Sequence, residues 1–160
     1  MNGLEAVIAA REILEAVTPL RQDCGRICGG ACCACDEDGQ GGMLLFPGEE
    51  MLYDPLPEGF SIIHDDLVIE GAKLLICDGQ CDRKERPLSC RLFPLLPTEK
   101  GAKMDRRGWA MCPLMEWGKA GLSKEFTDAV CQVGKMLYAC PEHAAFLSAI
   151  HAFNDQLSKF

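Results

Sequence analysis

Eleven of the 160 residues are cysteines, and most of them fall into two short clusters. Their number is odd, and Cys32 and Cys33 are adjacent, which makes an ordinary framework of disulfide bonds awkward to build. In a reducing compartment, such a density of thiols indicates metal ligation, redox chemistry or buried small side chains. A secreted scaffold held by disulfides is the structural alternative, and it would require export to an oxidising environment.

The first residues of the chain argue against export. Glu5, Arg11, Glu12 and Glu15 interrupt any apolar stretch that would serve as the core of a signal peptide. The longest apolar runs, such as residues 43–47, are far shorter than the roughly 20 residues that a membrane-spanning helix needs. We therefore expect a cytoplasmic protein without a membrane segment.

Net charge and chain length limit the expected partners and the number of domains. The formal net charge of −8 repels phosphate backbones, so no nucleic-acid partner is expected. The 160 residues suffice for one ordinary hydrophobic core but not for two, which predicts a single domain over residues 1–160.

The first cysteine cluster, within residues 21–42, is rich in glycine and has no conventional hydrophobic face. Small residues let a backbone wrap closely around a bound metal centre. A segment without a hydrophobic face needs such a bound centre or a similar cross-link to be ordered. Because apolar partners for buried cysteines are absent here, we interpret the thiols as metal ligands. They are Cys24, Cys28, Cys32 and Cys33, with Cys35 as a supernumerary thiol beside the site.

The second cluster consists of Cys77 and Cys81, followed later by Cys90 and Cys112. Short spacings bring two thiolates within reach of one ion, since Zn–S distances are about 2.3 Å. Two clusters that are far apart in sequence can close one site across the middle of a small fold. Thiolates select zinc or iron–sulfur clusters, whereas calcium and magnesium need oxygen ligands.

The remaining cysteines and the histidines favour other interpretations. Cys131 and Cys140 fall in or at the end of an apolar helical pattern, which predicts packing in the core. His64, His143 and His151 are isolated from one another, so we expect surface or helix residues rather than ligands.

Several familiar motifs are absent. A thioredoxin-like centre needs C-x2-C in a βαβ context, and the Cys32–Cys35 spacing lies in no such context. No phosphate-binding loop, dinucleotide fingerprint or nucleophile elbow is present. No reaction and no catalytic residue is predicted.

An enzyme nevertheless remains a competing hypothesis. Carboxylates between the two clusters would act as acid–base groups if they lined a cleft. The alternative is that they are solvated turn residues. These carboxylates are Glu49, Glu50, Asp54, Asp65 and Asp66.

Hydrophobic periodicity predicts an α+β fold. The apolar spacing over residues 4–17 predicts an N-terminal helix within residues 1–19. Two further helices are predicted to begin at Ser123 and Pro141 and to form a C-terminal hairpin over residues 123–157. We expect this hairpin to cover a small cysteine-rich metal-binding core at residues 24–113. Short strands are expected at residues 43–46, 60–63, 67–69, 73–77 and 103–111, a short helix after the turn at 47–50, and a loop-rich stretch at 78–99.

One motif connects the cysteines to a known family. Residues 86–94 read R-P-L-S-C-R-L-F-P and follow the sequence C-D-G-Q-C at residues 77–81. With the first cluster and Cys112-Pro113, this pattern resembles the YkgJ-type cysteine-cluster family of zinc- or iron-chelating domains. A similar domain occurs in flagellin N-methylases. The resemblance covers residues 24–113, and it departs from the family pattern in the extra Cys35 and in the lack of an aromatic residue before Arg86.

The resemblance implies a set of metal ligands and leaves the metal open. Eight thiolates fit two four-cysteine zinc sites, or one four-iron cluster plus a zinc ion. Zinc is slightly preferred because cysteine-only sites default to it. An iron–sulfur centre would instead imply electron transfer. The likeness to flagellin N-methylases would imply an accessory role beside a protein-modifying enzyme, which would then be the protein partner. The implied ligands are Cys24, Cys28, Cys32, Cys33, Cys77, Cys81, Cys90 and Cys112.

The two arginines that flank Cys90 have two interpretations. Arg86 and Arg91 would either offset the charge of a thiolate-rich centre and donate hydrogen bonds to sulfur or a carboxylate, or form surface salt bridges. In the second case their partners would be Glu85 or Glu99.

Overall fold

The computed structural model describes residues 2–17, 43–66, 68–76, 83–105 and 122–157. These residues form four α-helices and two small antiparallel sheets, so the α+β class is confirmed for the described part of the chain. The predicted cysteine-rich core lies largely outside these ranges.

Helix α1 spans Gly3–Glu15 and confirms the predicted N-terminal helix. A capping box begins it: the Asn2 side chain accepts a hydrogen bond from the Glu5 amide at 2.8 Å, and the Glu5 carboxylate accepts one from the Asn2 amide at 3.1 Å. The buried face of α1 consists of Gly3, Ala6, Val7, Ala10 and Leu14.

A three-stranded sheet follows, formed by β1 (Met43–Leu44), β2 (Ser61–Asp65) and β3 (Ala72–Ile76). Its order is β1-β3-β2, and both neighbouring pairs are antiparallel. The predicted strands at 43–46, 60–63 and 73–77 are therefore present with shorter or shifted bounds. A 3₁₀ turn at Glu49–Tyr53 provides the short helix expected after residue 48.

The prediction of a strand at 67–69 is wrong for the two residues described there. Val68 and Ile69 lie in the turn between β2 and β3, where the Ala72 amide donates to the Ile69 carbonyl at 3.1 Å. The turn depends on Gly71, whose φ of 77° lies in the left-handed region, and on Asp66, whose carboxylate accepts from the Gly71 amide at 2.7 Å. The apolar character of this stretch reflects packing of a turn against the core.

The loop predicted over residues 78–99 is also partly wrong. A 3₁₀ turn occupies Arg83–Glu85, helix α2 spans Leu88–Leu92, and strand β4 spans Leu95–Thr98. Strand β4 pairs with β5 (Gly101–Met104) as a two-stranded hairpin. Proline before a helix and on an edge strand is compatible with regular structure, which explains why Pro87, before α2, and Pro97, in β4, did not prevent it. The strand predicted at 103–111 thus begins earlier, and its part after residue 105 lies outside the described residues.

The C-terminal hairpin is present as predicted. Helix α3 spans Lys124–Tyr138, with the Ser123 hydroxyl accepting from the Phe126 amide at 3.2 Å, and helix α4 spans Pro141–Leu157 with proline in its first turn. No helix within the described ranges is long and apolar enough to cross a bilayer.

The main core is formed by α1, α2, α3, α4 and the β4–β5 hairpin. Helix α3 contacts α1 on one side and the hairpin on the other. Cys131 and Cys140 pack against or within this core, as predicted.

We expect the substitution Gly134→Ala to lower the free energy of unfolding by about 1 kcal/mol. Alanine gains about 1 kcal/mol of helix preference over glycine, but overpacking typically costs 1–3 kcal/mol. A Cβ at this buried position in α3 would lie 2.9 Å from the Cβ of Pro97 in β4. Denaturant unfolding measures the change, with Gln132→Ala on the exposed face of the same helix as the control. A Gly134→Ala variant as stable as the parent would contradict the close packing of α3 on β4.

Candidate metal centre

Cys90 is the only one of the eight predicted ligands that lies among the described residues. Its side chain is half-buried, and it carries a thiol rather than half of a disulfide. The other seven lie outside the described ranges, as does Cys35, and they are Cys24, Cys28, Cys32, Cys33, Cys77, Cys81 and Cys112.

Helix α2 carries Cys90 and is held by its neighbours on both sides. Pro87 precedes the first helical residue, and its carbonyl accepts from the amides of Cys90 at 3.1 Å and Arg91 at 3.2 Å. The Ser89 hydroxyl donates to the Leu44 carbonyl in β1 at 2.6 Å. These bonds fix the backbone that bears the thiol against the three-stranded sheet.

Glu49 is a fully buried carboxylate that joins three parts of the chain. One of its oxygens accepts from the Phe46 amide at 3.1 Å, and the other accepts from the Leu88 amide at 2.7 Å and faces the Arg11 guanidinium at 3.4 Å. Burial raises the pKa of Glu49, while the amide of Leu88, the charge of Arg11 and the amide of Phe46 oppose the rise. The expectation that this residue is a solvated turn residue is wrong, although its role is structural.

Arg91 contacts four acceptors from two separate stretches of the chain. Its Nε donates to the Arg86 carbonyl at 2.9 Å, and Nη2 donates to the Lys84 carbonyl at 3.0 Å. Its Nη1 donates to the Arg11 carbonyl at 3.2 Å and pairs with the Glu15 carboxylate. The carboxylate partner is thus Glu15 in α1, which neither sequence interpretation of Arg91 named.

Residues 83–86 are held from a second direction by Arg11 and Tyr53. The Tyr53 hydroxyl donates to the Glu85 carbonyl at 2.6 Å, and Arg11 Nη2 donates to the Lys84 carbonyl at 3.3 Å. The Arg11 guanidinium lies over the Tyr53 ring, 5.5 Å from its centroid. Burial raises the pKa of Tyr53, and the negative charge of Glu49 raises it further.

A pocket of about 350 Å³ lies on the solvent side of this network. Apolar side chains from α1 and the 3₁₀ turn at 49–53 form part of its wall, and the ion-paired arginines form another part. Its lining residues are Ile8, Arg11, Glu12, Glu15, Leu52, Lys84 and Arg91.

Two of the cysteine-bearing stretches join the described fold at neighbouring strand ends of the sheet whose β1 is hydrogen-bonded to α2, and a third follows a residue bonded just beyond α2. Met43, which follows the first cluster, pairs with Leu75 on the neighbouring strand β3. Cys77 comes directly after Ile76, the last residue of β3. The first cluster and the second therefore attach to neighbouring ends of β1 and β3. Asp105, which precedes the stretch containing Cys112, donates its amide to the Pro94 carbonyl just beyond α2 at 2.8 Å.

The described residues do not bring together any group of three His, Cys, Asp or Glu side chains that could hold a metal ion. His143 is buried with Nε2 2.7 Å from the Gly3 carbonyl, and His151 Nε2 lies 2.7 Å from the Pro97 carbonyl. His64 is exposed beside Lys73. The histidines therefore occupy surface or helix positions away from one another, and Cys90 is the thiol donor that fits a soft metal.

The carboxylates of the enzyme hypothesis differ in their surroundings. Glu49 accepts hydrogen bonds from two backbone amides, Asp54 and Asp66 are exposed, and Glu50 and Asp65 are half-buried. None of these five residues lines the pocket described above.

No family model, curated protein or solved structure matches the chain. The resemblance to the YkgJ-type family therefore depends on the motif residues alone.

We expect Glu49→Ala to lower the free energy of unfolding by about 3–5 kcal/mol, because it leaves two buried amides and the Arg11 charge without their acceptor. Denaturant unfolding of protein with the same metal content measures the loss. Glu50→Ala, at the adjacent half-buried carboxylate, serves as the control and should change stability by less than about 1 kcal/mol. Equal losses in the two variants would show that Glu49 does not hold these segments together.

The raised pKa of Glu49 also predicts a pH dependence. Between its ordinary value of 4.5 and its raised value in the fold, the folded protein keeps a proton that the unfolded chain releases. The free energy of unfolding contributed by Glu49 is therefore largest below pH 4.5 and is lost as the pH rises through the folded pKa. Glu49→Gln lacks this titration, so the advantage of the parent over this variant should shrink as pH rises towards neutrality. An advantage that grows with pH would show that the surrounding donors outweigh burial.

Proposed function

We propose that this chain is a metal-binding protein that holds zinc or an iron–sulfur cluster through its clustered cysteines, in the reducing cytoplasm. The observation that carries the proposal is the placement of the ends of the cysteine-bearing stretches at one edge of the sheet that contacts α2, and just beyond α2 itself. The strand ends at Met43 and Ile76 are neighbours in one sheet, and the residue after β5 is hydrogen-bonded just beyond α2. Such an arrangement supports thiolates from both clusters meeting near Cys90.

Chain length is compatible with this convergence. Cys77 follows the described strand directly, and Cys81 comes shortly before the 3₁₀ turn at Arg83–Glu85. The chain from Val17 to Cys24, like that from Asp105 to Cys112, can span up to roughly 25 Å, which is sufficient to return to α2.

The ligands of the proposed site are the eight cysteines that the family resemblance implies. Zinc is our first choice, since a site made of thiolates alone defaults to zinc. A zinc site closed by four thiolates has no open position and no redox state, so it would stabilise the cysteine-bearing stretches. An iron–sulfur centre in the same ligands would carry electrons.

Anaerobic purification followed by elemental analysis and a visible spectrum tests the proposal directly. Near-integral zinc in a colourless protein supports the structural site, whereas iron, sulfide and a brown colour support the cluster. A chelator should unfold the cysteine-bearing part of a structural zinc protein. Protein that carries neither metal after anaerobic purification and reconstitution would refute the proposal.

We expect Cys28→Ser and Cys90→Ser to lower both the metal content and the melting temperature, because each removes a thiolate ligand. Cys131→Ser is the matched control, since that thiol packs against the helical core, and it should leave the metal content unchanged. Elemental analysis per protein chain measures the outcome. Full metal stoichiometry in Cys90→Ser would show that the ligand assignment is wrong.

A further inference from the structure

We infer that Arg91 is a positioning residue for Cys90, and that it slows metal release by holding two ligand-bearing stretches at a fixed separation. The inference rests on the proposed function, because it assigns Arg91 a task in the same metal centre. Arg91 holds these stretches by hydrogen bonds to the carbonyls of Lys84 and Arg86 and by contacts with Arg11 and Glu15 of α1.

Helix α2 is too short to define its own geometry. It has five residues, and isolated helices shorter than about 12 residues are marginal in water. Its position therefore depends on tertiary bonds: Glu49 accepts from the Leu88 amide, Ser89 donates to β1, and Arg91 contacts α1. Cys90 is the residue of this helix whose neighbours on both sides are tied to the scaffold.

Arg91 also connects Cys90 to the end of the second cluster. The carbonyls of Lys84 and Arg86 accept its Nη2 and Nε hydrogens, and Lys84 comes shortly after Cys81 in the chain. The Arg91 side chain thus ties the backbone next to Cys90 to the carbonyls of Lys84 and Arg86, which follow Cys81 in the chain. The Arg11 carbonyl and Glu15 fix the same guanidinium to α1.

Only an arginine can make this set of contacts. Its planar guanidinium presents five N–H donors in a rigid fork, whereas a lysine ammonium is a compact charge with three donors. The Arg91 side chain is only 6% exposed, and its bonds to the Arg86 and Arg11 carbonyls are partly buried, so these two acceptors are shielded from bulk water. Arg91→Lys keeps the charge and removes the fork.

We expect Arg91→Lys to release metal about 10–100-fold faster than the parent, because loss of a residue that orients metal ligands typically weakens metal affinity by that factor and weaker affinity shows mostly in the dissociation rate. The measurement uses the purified metal-loaded protein and follows transfer to a chromophoric chelator for zinc, or bleaching of the visible absorption for an iron–sulfur cluster. The milder variant Ser89→Ala removes the bond to β1 and should accelerate release by a smaller factor, and it keeps the test decisive if Arg91→Lys does not fold.

Leu147→Ala is the control for general destabilisation. Leu147 is fully buried in α4, so truncation should lower the free energy of unfolding by about 2–5 kcal/mol without altering the ligands. Release that accelerates in Arg91→Lys, or in Ser89→Ala where Arg91→Lys does not fold, but not in this control, supports positioning. Acceleration in proportion to lost stability in all variants, or unchanged release in a metal-loaded Arg91→Lys, would refute the inference alone. A parent protein without metal would refute the proposed function as well.

Discussion

The buried carboxylate of Glu49 is the interaction on which the arrangement around α2 depends. It accepts hydrogen bonds from the backbone amides of Phe46, shortly after β1, and of Leu88 at the start of α2, and it faces the Arg11 guanidinium of α1. Buried ions are costly unless they are paired and hydrogen-bonded, and here both conditions are met by groups from three separate stretches. Because α2 is short, its placement follows from this carboxylate and from Arg91 rather than from helix propensity.

The helical part of the fold could be predicted from the sequence because its signals are local. Asn2, Ser123 and Pro141 mark helix starts, and the apolar spacing within each helix identifies its buried face. Prediction failed where a residue type has opposite meanings in different contexts. The prolines of residues 78–99 predict a loop, although the edge strand β4 accommodates Pro97. The apolar character of Val68 and Ile69 predicts a strand, although this pair packs from a turn.

The sequence predicts the chemistry of the candidate site but not its supports. The assignment of Cys90 as a ligand comes from the motif at residues 86–94 and stays a prediction. The Glu49 bond to the Leu88 amide links residues 39 positions apart, and the Arg91–Glu15 pair spans 76 positions. No local pattern distinguishes such carboxylates from solvated ones, because their burial is decided by packing between distant elements.

The packing of α1 against α3 has a consequence for synthesis of the protein. These helices stand at opposite ends of the chain, and His143 at the start of α4 approaches the carbonyl of Gly3. During synthesis on the ribosome, the apolar face of α1 is not covered until both C-terminal helices have emerged, since contacts of such long sequence separation form late. All eight candidate ligands are translated before α3 begins, so a nascent chain presents its thiols to cellular metals and oxidants while its core is still open.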